Sequence, residues 1–88
     1  MRVILSPKAE KQLKKISKIN QIAVVKKIRL IRDSVKIGGE KKLKGFQNVF
    51  RARVGDYRIV YRKTRKEAYI VLIHHRRDVY RLVKQLLR

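Results

Sequence analysis

The stretch from residue 49 to residue 62 reads VFRARVGDYRIVYR and predicts a β-hairpin. Apolar and basic residues alternate on both sides of Gly55 and Asp56, which is the period of a strand with one buried face. A two-residue loop with glycine first suits a type II′ turn, and such a turn fixes the register of the two strands. We therefore expect Arg53 to lie directly opposite Arg58.

This register divides the hairpin side chains between two faces of a sheet. The apolar face, which should pack on helices, carries Phe50, Ala52, Val54, Tyr57, Ile59 and Tyr61. The other face carries Arg51, Arg53, Arg58 and Arg62. Like charges directly across a strand pair are unfavourable, whereas a guanidinium binds phosphate oxygens with paired hydrogen bonds. The opposed arginines indicate an anion site, unless they splay into solvent, where screening makes their repulsion small.

The residues before the hairpin predict one strand and two helices. RVIL at residues 2–5 is β-prone, and Ser6 followed by Pro7 is typical of a helix start. A second helix is predicted from the apolar stripe of Ile22, Val25, Ile28, Ile31 and Val35. Asn20 can cap this helix and Gly38–Gly39 can end it. Residues 40–48 are expected to form a basic loop.

The residues after the hairpin predict a central strand and a last helix. AYIVLIH at residues 68–74 is apolar along its length, which indicates a strand buried on both faces. Asp78 can cap the last helix. If the turn between the second and third strands of this meander has an even length, Arg58 pairs with Ile73. His75 then lies on the arginine face and His74 on the core face.

The element order is therefore β-α-α-β-β-β-α in a single domain over residues 1–88. This is the α+β class, with an N-terminal strand and a helical hairpin packed on an antiparallel sheet. The first strand is expected at an edge of the sheet or beside the central strand. A chain of this length supports one modest core, because small domains bury a smaller share of their surface.

Charge dominates the composition. Lys and Arg total 26 and Asp and Glu total 6, for a formal net charge of +20. Such self-repulsion opposes folding, so a polyanionic partner is expected: nucleic acid, an acidic membrane surface or an acidic protein. A surface that only solubilises the protein, or resembles that of a thermophile, is the alternative.

Several function classes are disfavoured by composition. The chain has no cysteine, so it has neither a disulfide framework nor a thiol nucleophile. Its longest apolar run, YIVLI at residues 69–73, is far too short to span a membrane. The N-terminus lacks the features of a signal peptide, and we expect a cytoplasmic protein without membrane attachment.

The segment HHRRDVY at residues 74–80 contains both histidines of the chain. A metal site is disfavoured because adjacent histidines on a strand point to opposite faces, with no carboxylate cluster to complete the ligands. A serine triad is disfavoured because the serines lie on helices or at their caps. Acid/base work on a phosphodiester fits better, since imidazole exchanges protons near neutral pH and arginine stabilises a phosphorane. The alternative is a structural His74 beside a solvated basic helix entrance.

Three segments resemble the RelE/ParE superfamily of toxin–antitoxin toxins: LKG at residues 43–45, FRARVGDYRIVY at 50–61 and HRRDVY at 75–80. The resemblance covers nearly the whole chain and implies a RelE-like fold. It is more specific for the superfamily than for an activity within it. The RelE-like branch contains ribosome-dependent mRNA endonucleases, which cleave by 2′-OH attack to leave a 2′,3′-cyclic phosphate and a 5′-OH.

The resemblance also implies roles for particular residues. Arg58 matches the arginine that stabilises the reacting phosphate, Arg76 the arginine near the leaving 5′-oxygen, and Tyr80 the tyrosine that orients the base. Arg51 and Arg53 fall where known members carry lysines, one of which is a proposed general base. Arginine is a poor base, so His75 or Tyr80 takes the proton, or Arg53 acts only electrostatically, or catalysis is weaker. With these five candidates for catalysis, four residues are expected to bind RNA: Lys44, Arg51, Arg62 and Arg77.

The partners implied are mRNA in the ribosomal A site, ribosomal RNA and an acidic antitoxin that forms a hetero-oligomer with the toxin. The apolar stripe of the C-terminal helix could contact that antitoxin. No metal or other cofactor is implied. Two alternatives stay open: a ParE-like protein that inhibits DNA gyrase without chemistry of its own, and an RNA- or DNA-binding module that has lost catalysis.

Overall fold

The computed structural model describes residues 1–33, 39–75 and 79–87. The described elements, in chain order, are β1 (Arg2–Leu5), α1 (Pro7–Lys15), α2 (Lys18–Arg32), β2 (Lys41–Lys42), β3 (Val49–Val54), β4 (Tyr57–Lys63), β5 (Glu67–His75) and α3 (Val79–Leu87). The strands form one sheet in the order β1-β5-β4-β3-β2. The predicted α+β class and element order are confirmed, with β2 as an addition.

The meander β3-β4-β5 is antiparallel as predicted, and the direction of β1, which the sequence left open, makes the sheet mixed. β1 pairs in parallel with β5, from Arg2 beside Glu67 to Leu5 beside Ile70, and the other strand pairs are antiparallel. β1 is joined to the meander through α1 and α2 rather than through a hairpin turn, so nothing forces the antiparallel direction. As expected, β1 lies at an edge of the sheet, beside the interior strand β5, and β4 is the middle strand.

α1 is attached to β5 at two points. The Ser6 side chain caps the helix as predicted, because its Oγ accepts the N–H of Ala9 at 2.9 Å. The same hydroxyl donates to the carbonyl of Val71 at 2.6 Å. One and a half turns later, Gln12 Oε1 accepts the N–H of Ile73 at 2.8 Å. These bonds fix the helix across the end of β5.

α2 begins and ends at other residues than the sequence predicted. Ser17, not Asn20, caps its start, with Oγ accepting the Asn20 N–H at 3.4 Å. The helix ends at Arg32 with Asp33 as its C-cap, before the predicted end at Gly38–Gly39. A 3.0 Å hydrogen bond from Arg32 Nε lowers the pKa of Asp33. The predicted contacts of residues 35 and 38, like the cap at residue 78, lie outside the described residues.

The two faces of the sheet bury separate cores. The apolar hairpin face packs on α1 and α2 as predicted, around the fully buried Ala52, Ile59 and Tyr61. The opposite face packs on α3, through Val49, Val60, Val71, Leu72, Val79 and Val83. β5 is buried on both faces between residues 70 and 73, as predicted. α3 therefore covers part of the arginine face. The covered centre of this face is buried, and its margin is exposed.

Candidate functional site

The β3–β4 hairpin has the register that the sequence predicted. Arg53 is directly opposite Arg58, and Gly55 begins the turn with a φ of +56°, the left-handed region that glycine adopts without strain. Arg53 is exposed and Arg58 is half-buried. Arg58 Nη1 donates to the backbone carbonyl of Tyr57 at 3.3 Å. Arg53 and Arg58 are thus direct neighbours across one strand pair.

A second like-charge pair lies beside the first. The short strand β2 places Lys41 directly opposite Arg51, and Arg51 is on the same side of β3 as Arg53 because the two are alternate residues. We name this set of Lys41, Arg51, Arg53 and Arg58 the cationic face. The sequence missed Lys41 because a two-residue strand is too short to show a period of two.

An acidic residue anchors the start of β2. Glu40 Oε2 accepts a hydrogen bond from the hydroxyl of the fully buried Tyr61, and Glu40 Oε1 lies 3.5 Å from Lys63 Nζ. Lys63 Nζ also lies 4.6 Å from the centre of the Phe50 ring. Glu40 therefore makes its contacts on the side of the sheet that packs on α1 and α2. It does not neutralise the cationic face, which is on the other side.

Arg51 lines a cavity of about 310 Å³. The cavity lies between β2, the loop that follows β2, and α3. Its lining combines basic and apolar side chains: Lys41, Lys42, Leu43, Lys44, Phe46, Arg51, Val83 and Lys84. Arg51 is 9% exposed, and its Nε has no hydrogen-bond partner among the described residues. A buried unpartnered guanidinium nitrogen is costly, and an anion in the cavity would lower that cost.

Two of the residues predicted to bind RNA, Lys44 and Arg51, are brought together by this cavity. Phe46 and Lys84 also line it, and sequence reasoning missed both. The signal for Phe46 was present in the run KKLKGF at residues 41–46, where an aromatic residue follows basic ones. Lys84 had no such signal, because only the packing of α3 on the sheet brings it here.

The histidine beside the cationic face is His74, which corrects the predicted placement of His75. Tyr61 pairs with Ile70 as expected, but a bulge between Val60 and Tyr61 shifts the rest of the ladder by one residue. Arg58 therefore pairs with His74 rather than with Ile73. The physical reason is that a bulge sets two residues against one, which inverts the alternation beyond it.

His75 belongs to the other face at this end of the sheet. It pairs with Tyr57, and the two rings meet edge to face with their centres 6.0 Å apart. Such a contact is a packing arrangement common to aromatic pairs. His75 is thus held by Tyr57 at the hairpin end.

The other predicted site residues are distributed differently. Arg62 is exposed and lies opposite Val49, on the side of β4 that carries Arg58 but roughly 13 Å farther along at about 3.3 Å per residue. Arg76 and Arg77 lie outside the described residues. Tyr80 is the second residue of α3, and its side chain lies outside the description. Arg53 and Arg58 are thus cross-strand partners, Lys44 and Arg51 share a cavity, and Arg62 lies apart from both pairs.

The described residues contain neither a cluster of metal ligands nor a membrane-spanning helix. No three His, Cys, Asp or Glu side chains in residues 1–33, 39–75 and 79–87 come together as metal ligands. Within the same part of the chain, no helix is long and apolar enough to cross a membrane.

Residues 3–80 match the model of a protein family described as the ParE toxin of the type II toxin–antitoxin system parDE. The match includes the hairpin, the cationic face and both histidines. The chain belongs to this family of type II toxin–antitoxin toxins. A direct comparison with curated protein sequences finds no significant match.

Solved structures of RelE-like toxins have the same fold. The RelBE2 toxin–antitoxin complex of Mycobacterium tuberculosis matches with a TM-score of 0.69 at 28% identity, covering 85% of this chain and 96% of that chain. The RelB–RelE complex of Methanococcus jannaschii matches with 0.74 at 24% identity, covering 90% and 96%. The isolated E. coli RelE toxin matches with 0.74 at 18% identity, covering 99% and 98%. The predicted RelE-like fold is confirmed.

Proposed function

We propose that this toxin is a ribosome-dependent mRNA endonuclease that needs no metal. The observation that carries the proposal is the directly opposed pair of Arg53 and Arg58 on a face that also holds Lys41 and Arg51. Four cations on adjacent strands favour a ligand with closely spaced negative charges, and guanidinium groups fit phosphate oxygens. The net charge of +20 favours docking to a site lined with RNA.

RNA supplies its own nucleophile for this reaction. The 2′-oxygen attacks the adjacent phosphorus while the bond from phosphorus to the 5′-oxygen breaks. A base accepts the proton of the 2′-OH, and an acid donates a proton to the leaving 5′-oxygen. The products are a 2′,3′-cyclic phosphate and a 5′-OH, with all atoms and protons balanced. The enzyme must supply positive charge for the phosphorane and a route for two protons.

In this proposal Arg53 and Arg58 stabilise the negative charge of the phosphorane. His74, which the register places opposite Arg58, is the first candidate for proton transfer, and His75 is the second. Following the family resemblance, Arg76 acts near the leaving oxygen. Tyr80, in the first turn of α3, orients the base beside the scissile bond.

The cavity beside Arg51 extends the proposed site along the RNA. Phe46 offers an aromatic surface on which a base can stack, and Lys44 and Lys84 offer charge for its phosphates. Arg62 and Arg77 are assigned to phosphates farther from the cut. The mRNA strand would then lie across β2 and β3 with its reacting phosphate at β4.

We further propose that the toxin is cytoplasmic and is neutralised by an acidic antitoxin in a hetero-oligomer. Relatives with this fold have been solved as antitoxin–toxin complexes, among them those of Methanococcus jannaschii and Mycobacterium tuberculosis. A chain with 26 basic and 6 acidic residues would attract an acidic partner strongly at low ionic strength.

Analysis of the RNA ends tests the reaction directly. The purified toxin is added to ribosomes programmed with a defined mRNA, and the new 3′ ends are examined for a 2′,3′-cyclic phosphate. We expect cleavage in the A-site codon, no cleavage of the same mRNA without ribosomes, and no cleavage where the attacking 2′-OH is replaced by hydrogen. Inhibition of DNA gyrase supercoiling with intact mRNA would replace this proposal by ParE-like binding without catalysis.

A further inference from the structure

We infer that a second cationic groove, on α1, binds the phosphate backbone of the RNA next to the cleavage site. This inference rests on the proposed function, since it assumes that RNA is the ligand of the cationic face. The groove has a volume of about 530 Å³ and is lined by Pro7, Lys8, Lys11, Gln12, Lys15 and His74. None of these residues except His74 belongs to the site described above.

The charged residues of α1 lie on two different sides of the helix. Lys8, Lys11 and Lys15 are spaced by three and four residues, which places them on one side of α1. The only acidic residue of α1, Glu10, lies 3.3 Å from Lys14 Nζ, outside the groove. No carboxylate is among the described residues that line the groove. The three lysines therefore present positive charge that the protein does not neutralise locally.

The groove is already formed in the free protein. Gln12 connects its two walls, because the Gln12 side chain accepts the N–H of Ile73 at 2.8 Å. The Ser6 hydroxyl donates to the Val71 carbonyl and so attaches the start of the helix to β5 as well. A groove whose walls are fixed loses little conformational freedom on binding, which favours affinity.

His74 joins the groove to the cationic face. It lines the groove and is the strand partner of Arg58. Its Nδ1 is buried without a hydrogen-bond partner among the described residues, an energetic cost that a rearrangement on ligand binding could relieve. A strand of RNA that leaves Arg58 past His74 would meet Lys15, Lys11 and Lys8 in turn.

The length of the lysine row suits a short stretch of nucleic acid. From Lys8 to Lys15 the helix rises roughly 10 Å at about 1.5 Å per residue. A stacked strand advances roughly 3.4 Å per nucleotide, so the row spans about three nucleotides. The groove lining lacks large apolar side chains, which favours a phosphate backbone over the apolar side of an amphipathic protein helix.

Salt-dependent binding of an uncleavable RNA tests the inference. The probe is a short, fluorescently labelled single-stranded RNA with 2′-O-methyl groups, and its dissociation constant is measured at several salt concentrations. The test variant is Lys11→Gln with Lys15→Gln. The control is Lys14→Gln with Lys18→Gln, which removes the same charge from exposed positions outside the groove. Thermal unfolding checks that both variants are folded.

Each lost phosphate contact on a single strand lowers the slope of log affinity against log salt by about 0.7, so the test variant should lose about 1.4. The control should keep the wild-type slope. Equal slopes for the two variants would overturn the inference. It would also be overturned if the test variant bound the RNA like wild type but lost binding to poly-L-glutamate, because the groove would then serve an acidic protein.

Failure of the groove and failure of the nuclease proposal give different results. If the variants show the expected slopes but the toxin never cuts ribosome-bound mRNA, the groove inference stands and the nuclease proposal fails. A toxin that cuts mRNA while both variants have equal slopes keeps the activity and loses the groove.

Discussion

At the scale of single residues, the central feature is a repulsion built into the β3–β4 hairpin. Arg53 faces Arg58 across the strand pair, and Lys41 faces Arg51 across the next one. Like charges in such positions destabilise a sheet. A bound phosphate would be attracted by the charges of both strands, which is the physical link between this sequence and its proposed ligand.

The first prediction concerns the stability of the free protein. Arg53→Gln should raise the free energy of unfolding by ~0.3 kcal/mol at low salt, relative to Arg65→Gln, because it removes the cross-strand repulsion. The difference should disappear at high salt, where the charges are screened. Urea unfolding measures it. If Arg53→Gln is the less stable variant, the arginine pair does not repel in the free protein.

The second prediction separates the two histidines. His74→Gln should lower the cleavage rate and change its dependence on pH, because His74 is the strand partner of Arg58. His75→Gln should mainly reduce stability through its lost contact with Tyr57. The pH profile of single-turnover cleavage on ribosome-bound mRNA compares them. The reverse pattern would return proton transfer to His75, as the sequence first indicated.

At the scale of elements, the bulge in the β4–β5 ladder shows where prediction from sequence stopped. The Gly55–Asp56 turn specifies the first hairpin, so the opposition of Arg53 and Arg58 could be read from the sequence. The bulge between Val60 and Tyr61 has no turn residue to reveal it. The bulge places the consecutive residues Val71 and Leu72 in the same core, beneath α3. This arrangement is favourable only because the assembled sheet packs on α3.

The helix ends illustrate the same limit. Ser6–Pro7 was recognisable because the cap and the proline are adjacent. Ser17 and Asn20 are both good caps, and only the path of the chain between α1 and α2 selects Ser17. Lys41 and Lys84 joined the site through contacts distant in sequence, so their roles could not be derived from local patterns.

The third prediction concerns the attachment of α1. Ser6→Ala should lower the free energy of unfolding by about 2 kcal/mol, because it removes the helix cap and the buried bond to the Val71 carbonyl. Ser17→Ala, which loses one longer and exposed cap bond, should cost about 0.5 kcal/mol. Urea unfolding of both variants measures the difference. Equal losses would mean that the Ser6 hydroxyl contributes nothing through β5.

At the scale of the whole molecule, charge and packing are arranged separately. The two cores bury apolar residues on both faces of the sheet, and the basic residues lie on the sheet and on α1 and α2. A net charge of +20 gives the molecule a long-range attraction for polyanions. This attraction brings the toxin to RNA without selecting a sequence, whereas the cationic face provides the place for chemistry.

The fourth prediction follows from that charge. The affinity of the toxin for single-stranded RNA should fall by about 300-fold or more between roughly 50 mM and 200 mM salt if six or more phosphates are contacted. Fluorescence anisotropy measures this. A nearly flat salt dependence would mean that the excess of Lys and Arg serves solubility, the alternative that composition alone left open.

The central claim is that the arginines opposed on β3 and β4 stabilise the reacting phosphate. The most direct measurement is the single-turnover cleavage rate of ribosome-bound mRNA by Arg58→Ala. The control is Arg65→Ala, which removes the same charge from the exposed β4–β5 turn. We predict a loss of about a hundredfold or more for Arg58→Ala and a change of less than about threefold for the control. Equal rates for the two folded variants would contradict the account.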